Sequence, residues 1–458
     1  MSSTNATPDR ATPASSLVST TPPHVLTDDG GWCWFESPRA IQHNHWLLIG
    51  SVSSGHTTPA RHGSVELLAH NTADHTTTLV TLHANFELDD HDSPALYYRS
   101  TDRCYLATWA KHGTENTRYY RLSLPDNPLQ WQPTLTYIPS PSTQLTYSNL
   151  FYLSAERLLY DFYRGLHASF KPSYSTSADE GSTWQTGGVV IDVPLQFKHR
   201  PYVRYVSNGV DTVHLIYSEA HPRDYDNSLY HIYYRAGQLH RSDGTPIAAL
   251  IAGLASPDLG TLIYRGDSQH VAWPIDCVLV DGRLVVAYSV QHNSGGLPVG
   301  QGGDDIRYRY ATLDPHTHQW HDQHLAYAGC RLYSGEDDYS GLVAIEPTRP
   351  HCVYLSTNSH PATGEPLTSK ADGKRHWELW AGTRRDGVAG ADSEWMWQQL
   401  TVHSVRDNLR PIRPTRVGGE GAVGGGGGDE NVLLWLRGEY RTWVDYTQEI
   451  VMSRVSWK

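Results

Sequence analysis

Seven times along the chain an apolar run ends in polar or glycine residues, and this recurrence constrains the fold more than any other feature. The runs are HWLLIGSVSSG (45–55), CYLATWAKHG (104–113), RLLYDFYRG (157–165), TVHLIYSEAHPR (212–223), RLVVAYSVQHN (283–293), CVYLSTNSHP (352–361) and NVLLWLRGEY (431–440). Each follows another apolar segment: WCWFESPRAI from Trp32, HDSPALYY from His91, YSNLFYL from Tyr147, RPYVRYV from Arg200, AWPIDCVLV from Ala272, YSGLVAIEP from Tyr339 and NLRPIRPT from Asn408. A third strand-like segment comes after each run, least distinctly in the first unit. Self-similarity at roughly 55 to 70 residues, with four short strands per period, predicts an all-β, seven-bladed β-propeller.

Composition agrees with β structure. Tyr (28) and Trp (15) far outnumber Phe (6) and Met (3), and aromatics with a polar tip suit half-buried pleated surfaces. A formal charge of -12 excludes a generally basic protein that grips nucleic acid by bulk electrostatics. Any acidic ligand must meet a local cluster of Arg and His. The five Cys are scattered singly, and Cys104, Cys277 and Cys352 fall inside apolar strands as small buried hydrophobes.

The first thirty residues are rich in Ser, Thr and Pro, without an apolar run of signal-peptide length, and nothing later is long enough to span a bilayer. The expectation is a soluble monomer without membrane contact, cytoplasmic or exported by a non-classical route. Residues 1–16 read as a disordered tail and 17–458 as a single catalytic propeller. The stretch from Leu17 to Leu26 is expected to supply the outer strand of the last blade and close the ring. TPIAALIAGL (245–254) is the best helix candidate, with Thr245 as cap and Pro246 in the first turn. The Gly-rich run between Val417 and Asp429 lacks the Lys-Ser/Thr of a phosphate cradle and reads as a loop. SADEGSTW, Ser177 to Trp184, reads as an Asp-box-like turn in which Asp and Gly close a hairpin over a packed Trp.

In a propeller the first strand of each blade starts, and the second ends, on one face. His91 and His112 are therefore expected close together in space. That face also receives Lys111, Tyr147, Asn149, Tyr163, Arg164, His221, Arg223, Tyr225, Asn227 and His292. Imidazole, phenol and guanidinium together suit β-elimination from a uronic acid. A guanidinium offsets the charge that builds beside the carboxylate when the adjacent proton leaves, and His and Tyr can carry protons to and from the sugar. Hydrolysis would instead want paired carboxylates, and only Asp92 and Asp224 are candidates nearby.

The motifs GGWCWFESPRAI, DDHDSPALYY, KHG, YSNL, FYRG, RPYVRY, HPRDYDNSLYH, YSGLVAIEP and WLRGEYRTWVDY resemble those of the propeller polysaccharide lyases, from about residue 30 to the end. These are the ulvan lyases and the fungal L-rhamnose-α-1,4-D-glucuronate lyase that removes rhamnose caps from gum arabic. The resemblance implies His91 as a catalytic proton carrier, Tyr147 as its partner, Arg164 as carboxylate neutraliser and His112 as a second imidazole. It also implies Arg223 at the substrate acid or its neighbour sugar. Asn149, Asn227 and His221, on the same face, complete the expected substrate-binding set. Which of His91 and Tyr147 is base and which acid stays open.

The reading is a lyase for a uronate-containing polysaccharide or oligosaccharide that cleaves rhamnosyl-α-1,4-glucuronate, without an organic cofactor. An ulvan lyase, a sialidase-like hydrolase and a non-catalytic glycan-binding propeller are the alternatives. A structural calcium would use Asp276, or Glu336, Asp337 and Asp338, although solvated acidic turns account for the same residues.

Overall fold

The computed structural model describes residues 16–167, 170–192, 200–293, 297–298, 300–384, 394–418 and 431–458. Seven mainly antiparallel sheets follow one another along the chain, each begun by an inner strand and the apolar run that pairs with it. In order the inner pairs are Ala40–His43 with Trp46–Val52, Ala95–Arg99 with Cys104–Trp109, Thr146–Leu153 with Leu158–Gly165, and Val203–Ser207 with Thr212–Ser218. His270–Val280 with Arg283–His292, Val343–Ile345 with Cys352–Thr357, and Asp407–Ile412 with Asn431–Thr442 complete the set. The chain is thus an all-β, seven-bladed propeller, as the repeat predicts.

The ring is closed by its N-terminal segment. Val18–Thr20 and His24–Thr27 both pair antiparallel with Asp445–Trp457, the third strand of the seventh blade. Val18 is buried there beside Tyr354 and Trp457. This closure covers the open edge that Asp445–Trp457 would otherwise present. Residues 1–15 of the expected tail lie outside the described residues, as does most of the Gly-rich run.

Three sequence expectations change. TPIAALIAGL is not a helix: Pro246–Ala249 is a strand paired with Gln238–His240, followed by a turn. Its Ile247 and Ala248 pack on the fourth blade, and ladder bonds satisfy its backbone better than an isolated short helix could. Among the described residues the helical pieces are single 3-10 turns, at Pro59–Arg61, Asp90–Asp92 and Pro257–Leu259.

The segment from Trp32 does not start the first blade, whose inner strand begins only at Ala40. Its residues instead reach several blades. Trp34 Nε1 donates to Ser340 O at 2.7 Å, Ser37 N to Asn149 Oδ1 at 2.9 Å, and Arg204 and Arg410 both donate to Glu36 O. Partners in the third, fourth and seventh blades and just before the sixth place it across the central channel as a plug. In the same way, the second blade begins at Ala95, and His91 sits before it in the 3-10 turn.

The Asp-box-like turn is present. Ser177 Oγ donates to Asp179 Oδ1 at 2.7 Å, Thr183 N donates to the same oxygen at 2.8 Å, and buried Trp184 packs with Leu106 and Leu159. All five Cys are free thiols, four buried and Cys330 half-buried.

Candidate active site

Asp89 caps the 3-10 turn by accepting the backbone N–H of His91 at 3.0 Å. The same carboxylate then holds two imidazoles: Oδ1 lies 2.7 Å from His91 Nδ1 and Oδ2 lies 2.9 Å from His112 Nδ1. The two rings stack, with centroids 3.7 Å apart and planes 10° from parallel. The strand pairing Ala95 to Thr108 brings them together. Asp90 Oδ1 also approaches His91 Nδ1, at 2.8 Å, and Asp90 Oδ2 accepts the Tyr440 hydroxyl at 2.7 Å.

The third blade supplies the phenol and the guanidinium. Tyr147 lies 5.3 Å from His91, ring centre to ring centre. Its φ of 67° is a conformation that a bulky residue rarely adopts, and it sits where the strand register shifts between Thr146 and Asn149. Arg118 donates to the Tyr147 carbonyl and holds that bulge. Arg164 lies over Tyr147 at 4.5 Å and over Tyr202 at 4.7 Å. The Arg164 residue is 4 % exposed, and its Nε and Nη1 have no hydrogen-bond partner among the described residues.

Arg164, His112 and Asp89 open on a cavity of about 360 Å³, with Glu87, Gly113, Phe170, Arg200 and Trp443 on its walls. Gly113 needs to be glycine there: its φ is 70°, and a Cβ would lie 2.7 Å from the Phe170 ring. His91 and Tyr147, at 5 % and 4 % exposed, form the layer directly behind this surface.

Burial, helped by the neighbouring His91, lowers the His112 pKa to about 4, so at neutral pH it is a neutral imidazole. For His91 burial works against the charged form, but Cys33, Tyr147 and Asp89 carry its pKa well above the usual imidazole value. Burial raises the Tyr147 phenol well above its ordinary value, against the pull of Arg164 and His91. Burial would raise the Asp89 pKa too, but the two imidazoles hold it far below the ordinary carboxylate range. Burial raises Glu87, and the nearby Asp89 adds to this.

Of the remaining expected site residues, Asn149 and Asn227 are structural in their contacts. Asn149 spends both ends of its amide on Ser37 N and Phe162 O, and Asn227 spends both on the Ala220 backbone. Arg223 pairs with Glu336 rather than facing the cavity, and His221 lies behind Tyr202, 5.5 Å between ring centres. The carboxylates singled out for calcium have protein partners: Glu336 has Arg223, Asp276 accepts Ile345 N at 2.9 Å, Asp337 accepts Gly300 N at 2.9 Å, and Asp338 accepts from Gln291.

The expected scarcity of acids is corrected. Asp89 and Glu87 both line the cavity, and Asp90 touches His91. Asp89 was legible, since an Asp two residues before the histidine in DDHD is an N-cap signal. Tyr202, Arg200 and Trp443 carried no local signal that set them apart from packing residues. Two groups in the site bring potential metal-ligand atoms within 4.8 Å of one another: Asp89, His91 and His112, and Cys33, Asp90 and His91.

A family model described as BNR repeat-containing family member matches residues 59–328, more than half of the chain. The chain belongs to the BNR repeat-containing family. No curated protein matches it. Among solved structures, a PL25 ulvan lyase bound to -[GlcA(1-4)Rha3S]- superposes with a TM-score of 0.64 at 12% identity, covering 93% of this chain and 94% of that one. The same lyase without that ligand gives identical values. At this identity the likeness is one of fold. The GH93 α-L-arabinofuranosidase of Fusarium graminearum is more distant, with a TM-score of 0.40 at 13% identity over 78% of this chain and 91% of that one. No helix among the described residues is long and apolar enough to cross a membrane.

Proposed function

We propose that this protein is a polysaccharide lyase that cleaves rhamnosyl-α-1,4-glucuronate by β-elimination, as in the rhamnose caps of arabinogalactan. The observation that carries the reading is Arg164, a buried guanidinium with two unpartnered donor nitrogens, facing a sugar-sized cavity beside a neutral imidazole. A buried cation without an anion is costly, and a uronate carboxylate in the cavity supplies the anion.

With the carboxylate on Arg164, His112 takes the proton from C5. Its Nδ1 faces Asp89, so Nε2 is the nitrogen left to receive it. The electron pair forms the C4–C5 double bond and the C4–O4 bond breaks. Tyr147, a neutral phenol beside Arg164 and the His91 imidazolium, gives its proton to the departing O4, which leaves as the anomeric oxygen of rhamnose. His91 is then a positioning residue, which supplies positive charge next to the phenol as the phenolate forms. This assignment passes the role of base from the His91/Tyr147 pair to His112.

A second reading has one observation in its favour. Glu87 and Asp89 share the cavity with pKa values pushed in opposite directions, a pattern that also serves a glycoside hydrolase. Incubation with rhamnose-capped arabinogalactan separates the two. The lyase releases rhamnose together with an ultraviolet-absorbing unsaturated uronate, whereas rhamnose released without that absorbance establishes hydrolysis.

A further inference from the structure

The uronate cavity does not end at Phe170. A second, larger hollow of about 610 Å³ adjoins it across Thr114 and Phe170, between the loop after the second blade's apolar run and the segment 141–144. Most of its polar wall is uncharged, with Asn116, Ser142, Thr143 and Gln144 beside the Phe170 ring. The Thr143 hydroxyl is buried there without a hydrogen-bond partner.

The charge of the two hollows differs. The first has Arg164 and Arg200 on its walls, whereas the second has no Arg or Lys among its described lining residues. Its ionisable groups are already paired: Glu115 with Lys111 at 2.6 Å and His167 with Asp192 at 3.2 Å.

We propose that this second hollow seats the sugar joined to the glucuronate and accepts it only when it is uncharged, so that residues 114–116 and 141–144 turn away sulfated units. The proposal rests on the uronate reading of the Arg164 cavity. An aromatic face with hydroxyl and amide groups suits the apolar and hydroxylated sides of a deoxysugar. A sulfate ester brought to the same place loses hydration and meets Glu115 with no free cation in return, which disfavours it.

The test uses the full-length protein and a matched pair of rhamnosyl-glucuronate methyl glycosides, with and without a 3-sulfate on rhamnose. Elimination is followed by ultraviolet absorbance, and binding separately by calorimetry. The unsulfated compound is expected to exceed the sulfated one at least tenfold in kcat/KM and in affinity. Gln144→Arg, and independently Ser142→Arg, place a cation at exposed positions of the wall and should shrink that ratio at least fivefold. Equal handling of both compounds by the unaltered protein, or a ratio that neither substitution moves, overturns the proposal. If both compounds bind but neither yields unsaturated product, the lyase reading fails, and the binding ratio still decides the question of the subsite.

Discussion

Replacing Arg164 with Met separates the cost of the guanidinium to the fold from its use to the reaction. In the folded protein its Nε and Nη1 are buried donors without partners, a penalty of about 1–3 kcal/mol each. Two aromatic faces, Tyr147 at 4.5 Å and Tyr202 at 4.7 Å, return about 1–2 kcal/mol each as cation–π attraction. The two effects nearly cancel, so a neutral side chain of similar length should change unfolding stability by less than ~2 kcal/mol. For a chain of this size that is a shift of a few degrees in Tm at most. The reaction, in contrast, loses the only buried Arg or Lys among the described residues of the cavity wall. By the scale of lost oxyanion donors this costs ~3 kcal/mol in the barrier, on the order of a hundredfold in kcat. Differential scanning calorimetry and the absorbance assay on capped arabinogalactan measure the two quantities on one sample. A large fall in Tm with turnover preserved would refute the reasoning, since it would make Arg164 a structural cation whose partner the fold already provides.

Tyr147→Phe should stop elimination and leave the fold intact. The hydroxyl's hydrogen-bond contact is the Cys33 thiol at 3.7 Å, so a drop in kcat of roughly a hundredfold with unchanged calorimetry is expected, and full activity would remove the phenol from the mechanism. The acid limb of the pH–kcat/KM profile should fall near pH 4, because His112 must be neutral to accept a proton and its pKa is held at about 4. His91→Gln removes a positive neighbour and should move that limb upward; a limb that the substitution leaves in place would show that the titrating group is not beside His91 and would exclude His112 as the base. The same depressed pKa also affects stability. The unfolded chain binds a proton at His112 that the folded chain refuses, so its contribution is complete above about pH 6.5 and is lost as the pH falls towards 4. Deleting residues 1–22 removes Val18–Thr20 and bares part of the Asp445–Trp457 edge, so a lower Tm and concentration-dependent aggregation are expected by calorimetry and light scattering.

The blades were legible because each repeats one pattern of burial: an apolar run buried on both faces gives a continuous hydrophobic stretch that survives in a single sequence. The stacking of His91 on His112 was legible for a related reason, since antiparallel pairing fixes which strand ends meet. What was not legible depends on contacts between blades. Trp32 to Arg39 has the composition of an inner strand, and only partners on the third, fourth and seventh blades and just before the sixth make it a plug. TPIAALIAGL has helix-compatible residues, but the edge at Gln238–His240 offers its backbone a ladder that no local propensity reveals. Arg223 keeps its local acid, Asp224, at 3.4 Å, but its other partner, Glu336, lies 113 residues away and carries no local signal.

The pairing of two stacked imidazoles with opposite pKa shifts follows from one carboxylate placed between unequal surroundings. Asp89 reaches both rings, so its charge alone cannot make one basic and the other acidic. The difference comes from what else each ring faces. His91 has Asp90 at 2.8 Å beside it, whereas His112 has the His91 ring on one side and Arg164 nearby. A proton on His91 therefore suppresses one on His112, since like charges at stacking distance disfavour each other. The pair shares one proton and keeps it on the inner ring. That leaves the outer ring, the one on the cavity wall, neutral and ready to take a proton from a bound sugar. When it does, the repulsion between the rings makes the protonated state short-lived, which favours passing the proton back to solvent before the next turnover. Asp90→Asn tests this directly: it removes the carboxylate that only His91 has beside it, so nuclear magnetic resonance should find the two imidazole titrations moving closer together. Titrations that stay as far apart in Asp90→Asn would place the asymmetry in burial and not in the flanking charge.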